Sequence, residues 1–327
     1  MATTGQRHPS ADHSRSLARV QALSGYVTIG ILILVGVGCG HFGVLTTQHQ
    51  QMMSKLALLV ASPALLLTMM EKADLSKVFA RSFIANAGAI LVAALVYLVI
   101  ALVFFRPPPG ERTMGMLLAC YTNAGNLGLP VAAYALGDVT WIAPVLLVQV
   151  AFLQPLALAH LDYHRARKNG GTVPVARLMT LPFRNPLTVG CLIGLALNLA
   201  HISLPGLVET PLEMLGGVAV PTMLLAFGIS LRLDPRPKRG ADSVESYVIT
   251  VIKVVIQPLS AFLLARYALH LPEHSVRAVT VIAALPPAQN IYVFGMRYGV
   301  RELFARDTIF RTTVVSAVVI LVLAALL

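Results

Sequence analysis

The amino-acid sequence predicts an all-α membrane protein with ten transmembrane helices in two inverted five-helix repeats, helices 4 and 9 being broken and crossing near the midplane. Three observations predict it. Of the 327 residues, 57% are hydrophobic and only 12% charged, whereas a soluble domain carries about 25% charged residues. Apolar runs recur along the whole chain, each near the ~20 residues that a helix needs to cross a bilayer. Landmarks also repeat at a nearly constant offset. Leu34-Val35-Gly36 and Leu192-Ile193-Gly194 lie 158 residues apart, as do Pro63 and Pro221, and Leu129-Pro130 precedes Leu285-Pro286 by 156. Five spans per half is an odd number, so the second half enters from the opposite side and the repeat is inverted.

Residues 1–21 are polar and basic and read as a disordered tail; their Arg/Ser-rich, acid-poor character also resembles a transit peptide. The first repeat covers 22–160, with spans near 22–40, 53–70, 82–105, 113–137 and 140–160. A basic loop at 161–185 follows. The second repeat covers 186–327, with spans near 186–203, 210–231, 246–269, 277–297 and 307–327. The gaps carry turn chemistry: Pro107-Pro108-Pro109-Gly110, Asn169-Gly170-Gly171 and Asp234-Pro235-Arg236-Pro237. The net charge is +11. It resides in short loops between apolar runs, so it reads as topology and not as a nucleic-acid surface. Loops 1/2, 3/4, 5/6, 7/8 and 9/10 hold 16 Lys and Arg against 8 on the other side. The base-rich side is therefore expected in the cytoplasm, with both termini outside an inner membrane, although the basic N-terminal tail runs against this.

Spans 4 and 9 are interrupted. Span 4 contains Asn123, Gly125, Asn126, Gly128 and Pro130 within a charge-free run; span 9 contains Pro286, Pro287, Gln289 and Asn290. Gly and Pro break the helical ladder, and the freed backbone groups are tolerated at membrane depth only where protein or a wet cavity covers them. Pro130 suits the first position of a second half-helix, where its missing N–H costs nothing, and Asn126 caps or lines the break. If the two breaks cross near the midplane, two positive helix N-termini and several amides converge on a site for a carboxylate that needs no fixed cation. The alternative is that Gly and Pro only permit close packing or a kink.

Lys253 stands well inside span 8, where a charge costs roughly 2.5–3.5 kcal/mol on insertion scales. Two readings stand: a coupling or anion-neutralising group, or a Lys snorkelling to the cytoplasmic surface. Gln149 and Gln154 reach the cavity or bond neighbouring helices. Glu71, Asp138, Glu209 and Glu213 fall at outer span ends and read as solvated. Cys39, Cys120 and Cys191 read as small core residues. The sequence contains no H-E-x-x-H, G-x-S-x-G, P-loop or C-x-x-C pattern, and no metal-ligand set is read in its scattered His. No enzyme, no cofactor and no metal are expected.

The run NAGNLGLP (Asn123–Pro130), with LPPAQN (Leu285–Asn290) and the SPALLL and VPTMLL turns at Pro63 and Pro221, resembles the auxin efflux carrier family. The resemblance covers 22–327, and the short 161–185 loop is similar to bacterial members associated with malate or malonate. It implies a scaffold of spans 1, 2, 6 and 7, dimeric through those helices, and a mobile unit of spans 3–5 and 8–10. It also implies a small organic anion held at the crossing by Asn123, Asn126 and Pro130 with Pro286, Gln289 and Asn290. Two other readings are kept: a sodium-coupled anion symporter of the bile-acid type, and a non-transporting receptor on the same fold.

Overall fold

The computed structural model describes residues 28, 30–73, 81–168, 186–233 and 243–326. The expected tail at 1–21, the turn at 234–237 and most of the 161–185 loop lie outside them. The described residues fold into α-helices with no strand among them. We number the helices α1 (Gly30–His41), α2 (Thr47–Glu71), α3 (Arg81–Phe105), α4 (Pro109–Cys120), α5 (124–134), α6 (139–168), α7 (Pro186–Leu199), α8 (Gly206–Leu233), α9 (Val244–Ala268), α10 (Glu273–Ala283), α11 (Asn290–Tyr298) and α12 (Glu302–Leu326). Four of them, α2, α3, α8 and α9, are long and apolar enough to cross a membrane, and α1 and parts of α6 and α7 are shorter apolar helices.

The distribution of polarity is inverted relative to a soluble protein. On α3, Leu91, Leu95, Val99 and Leu102 are exposed along one face, at the spacing of a helical stripe. Polar side chains are instead enclosed: Asn86, Thr122, Gln149, Glu245, Thr250, Lys253, Gln257 and Thr312 are all buried. Exposed leucine with buried lysine is the pattern of a chain solvated by acyl chains, and it supports an integral membrane protein.

Helix ends follow from local chemistry. At the end of α3, Arg106 turns into the left-handed region at φ 49 and Pro107 follows, which cannot continue the helix. Asn198 on α7 caps the end of α2, its Nδ2 donating to the carbonyls of Met70, Glu71 and Ala73 at 3.0, 2.6 and 2.8 Å. Glu71 accepts the Leu204 N–H at 3.0 Å, and Asp138 accepts from Thr140. Lys72 bonds Glu209 and Glu213, and these bonds hold its amine above the usual lysine range. These carboxylates were expected to be merely solvated. They are caps and clasps: Asp138 caps the start of its own helix, Glu71 holds the 200–205 connection, and Glu209 and Glu213 clasp Lys72 from α8.

Four prolines inside helices share one solution. Pro63, Pro130, Pro155 and Pro258 each stand two residues after a π-helical turn, at Ala57–Ala61, Ala124–Gly128, Gln149–Leu153 and Ile252–Ile256. A proline ring collides with the carbonyl four residues back and offers that carbonyl no N–H. Here that carbonyl always lies in the wide turn, whose bonds run five residues back. Helix is thus retained on both sides of each proline.

Small residues set the closest approaches. A Cβ at Gly36 on α1 would enter the space of the Leu225 carbonyl on α8; a Cβ at Gly194 on α7 would enter that of the Leu67 carbonyl on α2. The two contacts are related by the 158-residue offset in both members. Helices α1, α2, α7 and α8 pack together in this way, while α3, α4, α9 and α10 pack on one another. A buried ionic clasp ties α3, α4 and α9 to the start of α12. Glu245 accepts from the Tyr97 hydroxyl at 2.7 Å and from Arg301 at 2.6 Å, and Arg301 also pairs Glu111 at 2.7 Å.

Candidate functional site

The chain leaves helix at 121–123, between α4 and α5, and again at 284–289, between α10 and α11. The two breaks touch: the Asn123 N–H donates to the Pro286 carbonyl at 2.8 Å. The first break falls earlier than the Gly/Pro run predicts. Asn123, not Asn126, is the cap, its side chain accepting the Asn126 N–H at 3.1 Å. Pro130 does not start the second half-helix; it stands in helix that already runs from Ala124, because the π turn accommodates its ring.

Five of the eight predicted binding residues line one small cavity of about 30 Å³: Asn123, Gly125, Asn126, Gln289 and Asn290. Pro130, Pro286 and Pro287 do not line it. A neck of about 10 Å³ between Asn126, Gln289, Gln50 and Ser54 adjoins it. Beyond lies a vestibule of about 480 Å³, whose walls include Lys55, Gln289, Tyr292 and Arg306. Gln289 borders all three spaces. Lys55 and Arg306 belong to the base-rich set of loops, so the vestibule opens toward that side.

Lys253 is fully buried, which excludes snorkelling. Its Nζ donates to Thr122 Oγ1 at 3.0 Å, Gln257 Oε1 at 2.6 Å and the Ala283 carbonyl at 3.2 Å. Three acceptors match the three N–H bonds of an ammonium. Gln257 in turn donates to the Cys120 carbonyl at 3.2 Å. Cys120 and Ala283 are the last residues of α4 and α10, so the negative ends of both first half-helices are turned toward Lys253 and its partner. The positive N-terminal ends of α5 and α11 are left facing the cavity. Of the two readings of Lys253, the structure leaves the buried one, a single side chain, that of Thr122, behind the cavity wall.

Two groups that were not assigned to the site belong beside it. Gln149 accepts the Thr122 N–H at 2.8 Å and lines the cavity, as does Thr122. The signal for Gln149 was present, as an amide inside an apolar span, and both of its readings hold: it bonds the chain at the end of α4 and lines the cavity. Gln154 does bond a neighbour, accepting from the Tyr121 hydroxyl at 3.2 Å. His160 and His164, four apart on α6, do share a face, with rings 4.4 Å apart. Among the described residues no group of three His, Cys, Asp or Glu forms a metal site.

Comparison with known proteins identifies the family. A family model described as membrane transport protein matches residues 23–170 and 173–324. A protein of Rhizobium meliloti (strain 1021) named "Putative malonate transporter" is 25% identical over 264 residues, covering 79% of this chain and 80% of its own. An "Uncharacterized transporter" of Methanothermobacter thermautotrophicus is 24% identical over 300 residues, covering 89% and 94%. With the family model spanning nearly the whole chain, this chain belongs to the membrane transport protein family, the auxin efflux carriers.

Proposed function

We propose that the protein is a secondary carrier of small organic anions, mono- or dicarboxylates, working by alternating access with the anion held where the two broken helices cross. The observation that carries this is the Asn123 to Pro286 bond, which brings two helix N-termini and the amides of Asn123, Asn126, Gln289 and Asn290 around one cavity. Amide donors and helix N-termini favour an anion. The relative named for malonate supports a short carboxylate as substrate.

The reading includes ten spans in two inverted repeats, 22–160 and 186–327. The Gly36–Leu225 and Gly194–Leu67 contacts, each the other's image at the sequence offset, support it. It places the chain in the inner membrane with both termini outside. The packed group α1, α2, α7 and α8 serves as scaffold and dimer contact, and the remaining helices move against it, elevator-like. The vestibule then faces the cytoplasm.

The test is uptake of radiolabelled malonate into proteoliposomes, with and without an imposed proton or sodium gradient. Asn126→Leu should abolish flux while leaving insertion and melting temperature intact, because it removes an amide and narrows the neck. Full flux in that variant would remove the crossing from the mechanism. Strict sodium dependence would favour a symporter of the bile-acid type, and saturable binding without flux a receptor.

A further inference from the structure

We infer that the seat for the carboxylate itself is formed by the side-chain donors of Thr122 and Gln149, with Lys253 as the positioning residue behind them. This rests on the carrier reading above and adds to it residues outside the two interrupted motifs' Asn, Gln and Pro.

Each donor is aimed by what its own side chain accepts. Gln149 Oε1 receives the Thr122 N–H, and an N–H bonds only to oxygen, so the amide orientation is fixed. Its Nε2 must then point the other way, and there it has no protein partner although the residue is 1% exposed. A buried amide donor left unpaired costs about 1–3 kcal/mol and calls for a reason. Gln149 lines the crossover cavity, and a bound anion supplies that reason.

Thr122 is oriented in the same fashion. Its hydroxyl oxygen receives Lys253 Nζ at 3.0 Å. A hydroxyl that accepts from an ammonium keeps its own proton for a further acceptor, and the cation behind it strengthens that donation. Lys253 thus acts on the anion through Thr122 without touching it. Because Gln149 holds the Thr122 main chain and Lys253 its side chain, the two donors are fixed relative to each other.

The size agrees. The cavity of about 30 Å³ holds about two water-sized occupants, at roughly 10–15 Å³ each, which is the room for two carboxylate oxygens. None of its lining residues is acidic or basic, so no carboxylate of the protein competes for these donors there. The rest of the substrate extends through the Asn126–Gln289 neck toward the vestibule.

The experiment uses the purified chain in detergent, titrated calorimetrically with malonate at pH 6.5, with malonamide as the neutral control. Ligand-free melting temperatures are measured in parallel. Thr122→Val removes the hydroxyl at nearly constant shape. Gln149→Glu keeps the acceptor that holds the Thr122 amide but removes the donors. Thr122→Ser restores a hydroxyl. Malonate affinity should fall about tenfold to a hundredfold in the first two variants, the range for a hydrogen bond to a charged group, and stay within about threefold in Thr122→Ser. Malonamide should bind none of them measurably. If Thr122→Val and Gln149→Glu bind malonate as wild type does while Asn126→Leu loses it, the seat is elsewhere in the crossing and the carrier reading stands. If both variants lose melting temperature with affinity and Thr122→Ser restores neither, the pair is structural only and the inference is overturned. If wild type responds to none of malonate, acetate and succinate, the carrier reading falls and this inference with it.

Discussion

Replacing the buried cation Lys253 should disturb the fold less than replacing its neutral partner Gln257. In Lys253→Met, Gln257 Oε1 and the Ala283 carbonyl lose their donor; Thr122 loses an incoming bond but can still donate. Two stranded acceptors cost about 1–3 kcal/mol each, or about 2–6 together. Against this, the variant no longer carries a buried ammonium, whose desolvation penalty is itself several kcal/mol, and Met fills nearly the same volume. The two contributions offset each other to within a few kcal/mol. Gln257→Ala has no such offset. It uncaps the Cys120 carbonyl, takes one of three acceptors from an ammonium that stays buried, and opens a cavity. Thermal unfolding in detergent should therefore rank wild type and Lys253→Met close together and Gln257→Ala clearly below. Malonate affinity should nonetheless fall in Lys253→Met, because Thr122 is no longer polarised. A Lys253→Met protein that fails to fold beside a robust Gln257→Ala would refute the account of Lys253 as a cation held by neutral dipoles.

Three further outcomes are expected. Glu245→Ala strands the buried Tyr97 hydroxyl and removes one of the two carboxylates on Arg301, so it should destabilise by about 3–5 kcal/mol. Glu245→Gln retains an acceptor and should lose clearly less; equal losses in denaturant unfolding would show that charge, not hydrogen bonding, sets the clasp. Gly194→Val drives a side chain into the Leu67 carbonyl and Met70, an overpacking of about 1–3 kcal/mol or more. Gly36→Val should cost a similar amount, since its contact is the image at the repeat offset, and widely different melting shifts would count against an internal symmetry. Pro286→Ala keeps the carbonyl that Asn123 reaches but frees the backbone, so transport turnover should fall about tenfold with little change in melting temperature.

The long apolar helices α2, α3, α8 and α9 were legible in the sequence as hydrophobic windows, and the two interruptions and the place of Lys253 inside a span as departures from such windows. The location of the first break was not. The run Asn123–Pro130 marks it, whereas the chain opens at 121–123, since a π turn absorbs Pro130 and the Asn123 side chain closes the turn instead. Choosing between readings of Lys253 required knowing that Thr122 and Ala283, 131 and 30 residues away, converge on it. Glu245 gave no signal at all. It sits at a span end, where carboxylates are normally solvated, and only the distant Arg301 and Tyr97 make it an enclosed partner.

The wide turns have a consequence for where this molecule will tolerate insertions and deletions. Asn126, Gln149 and Lys253 each occupy one, and a π turn holds one more residue than an α turn does. Deleting a single residue there would leave a smooth helix whose two ends still face as they do, whereas the same deletion in a plain α turn would swing everything beyond it by about 100° around the axis. The latter lesion would leave the span able to insert while its polar side chains looked out at lipid, so that an apparently gentle shortening would silence the crossing more completely than most point substitutions.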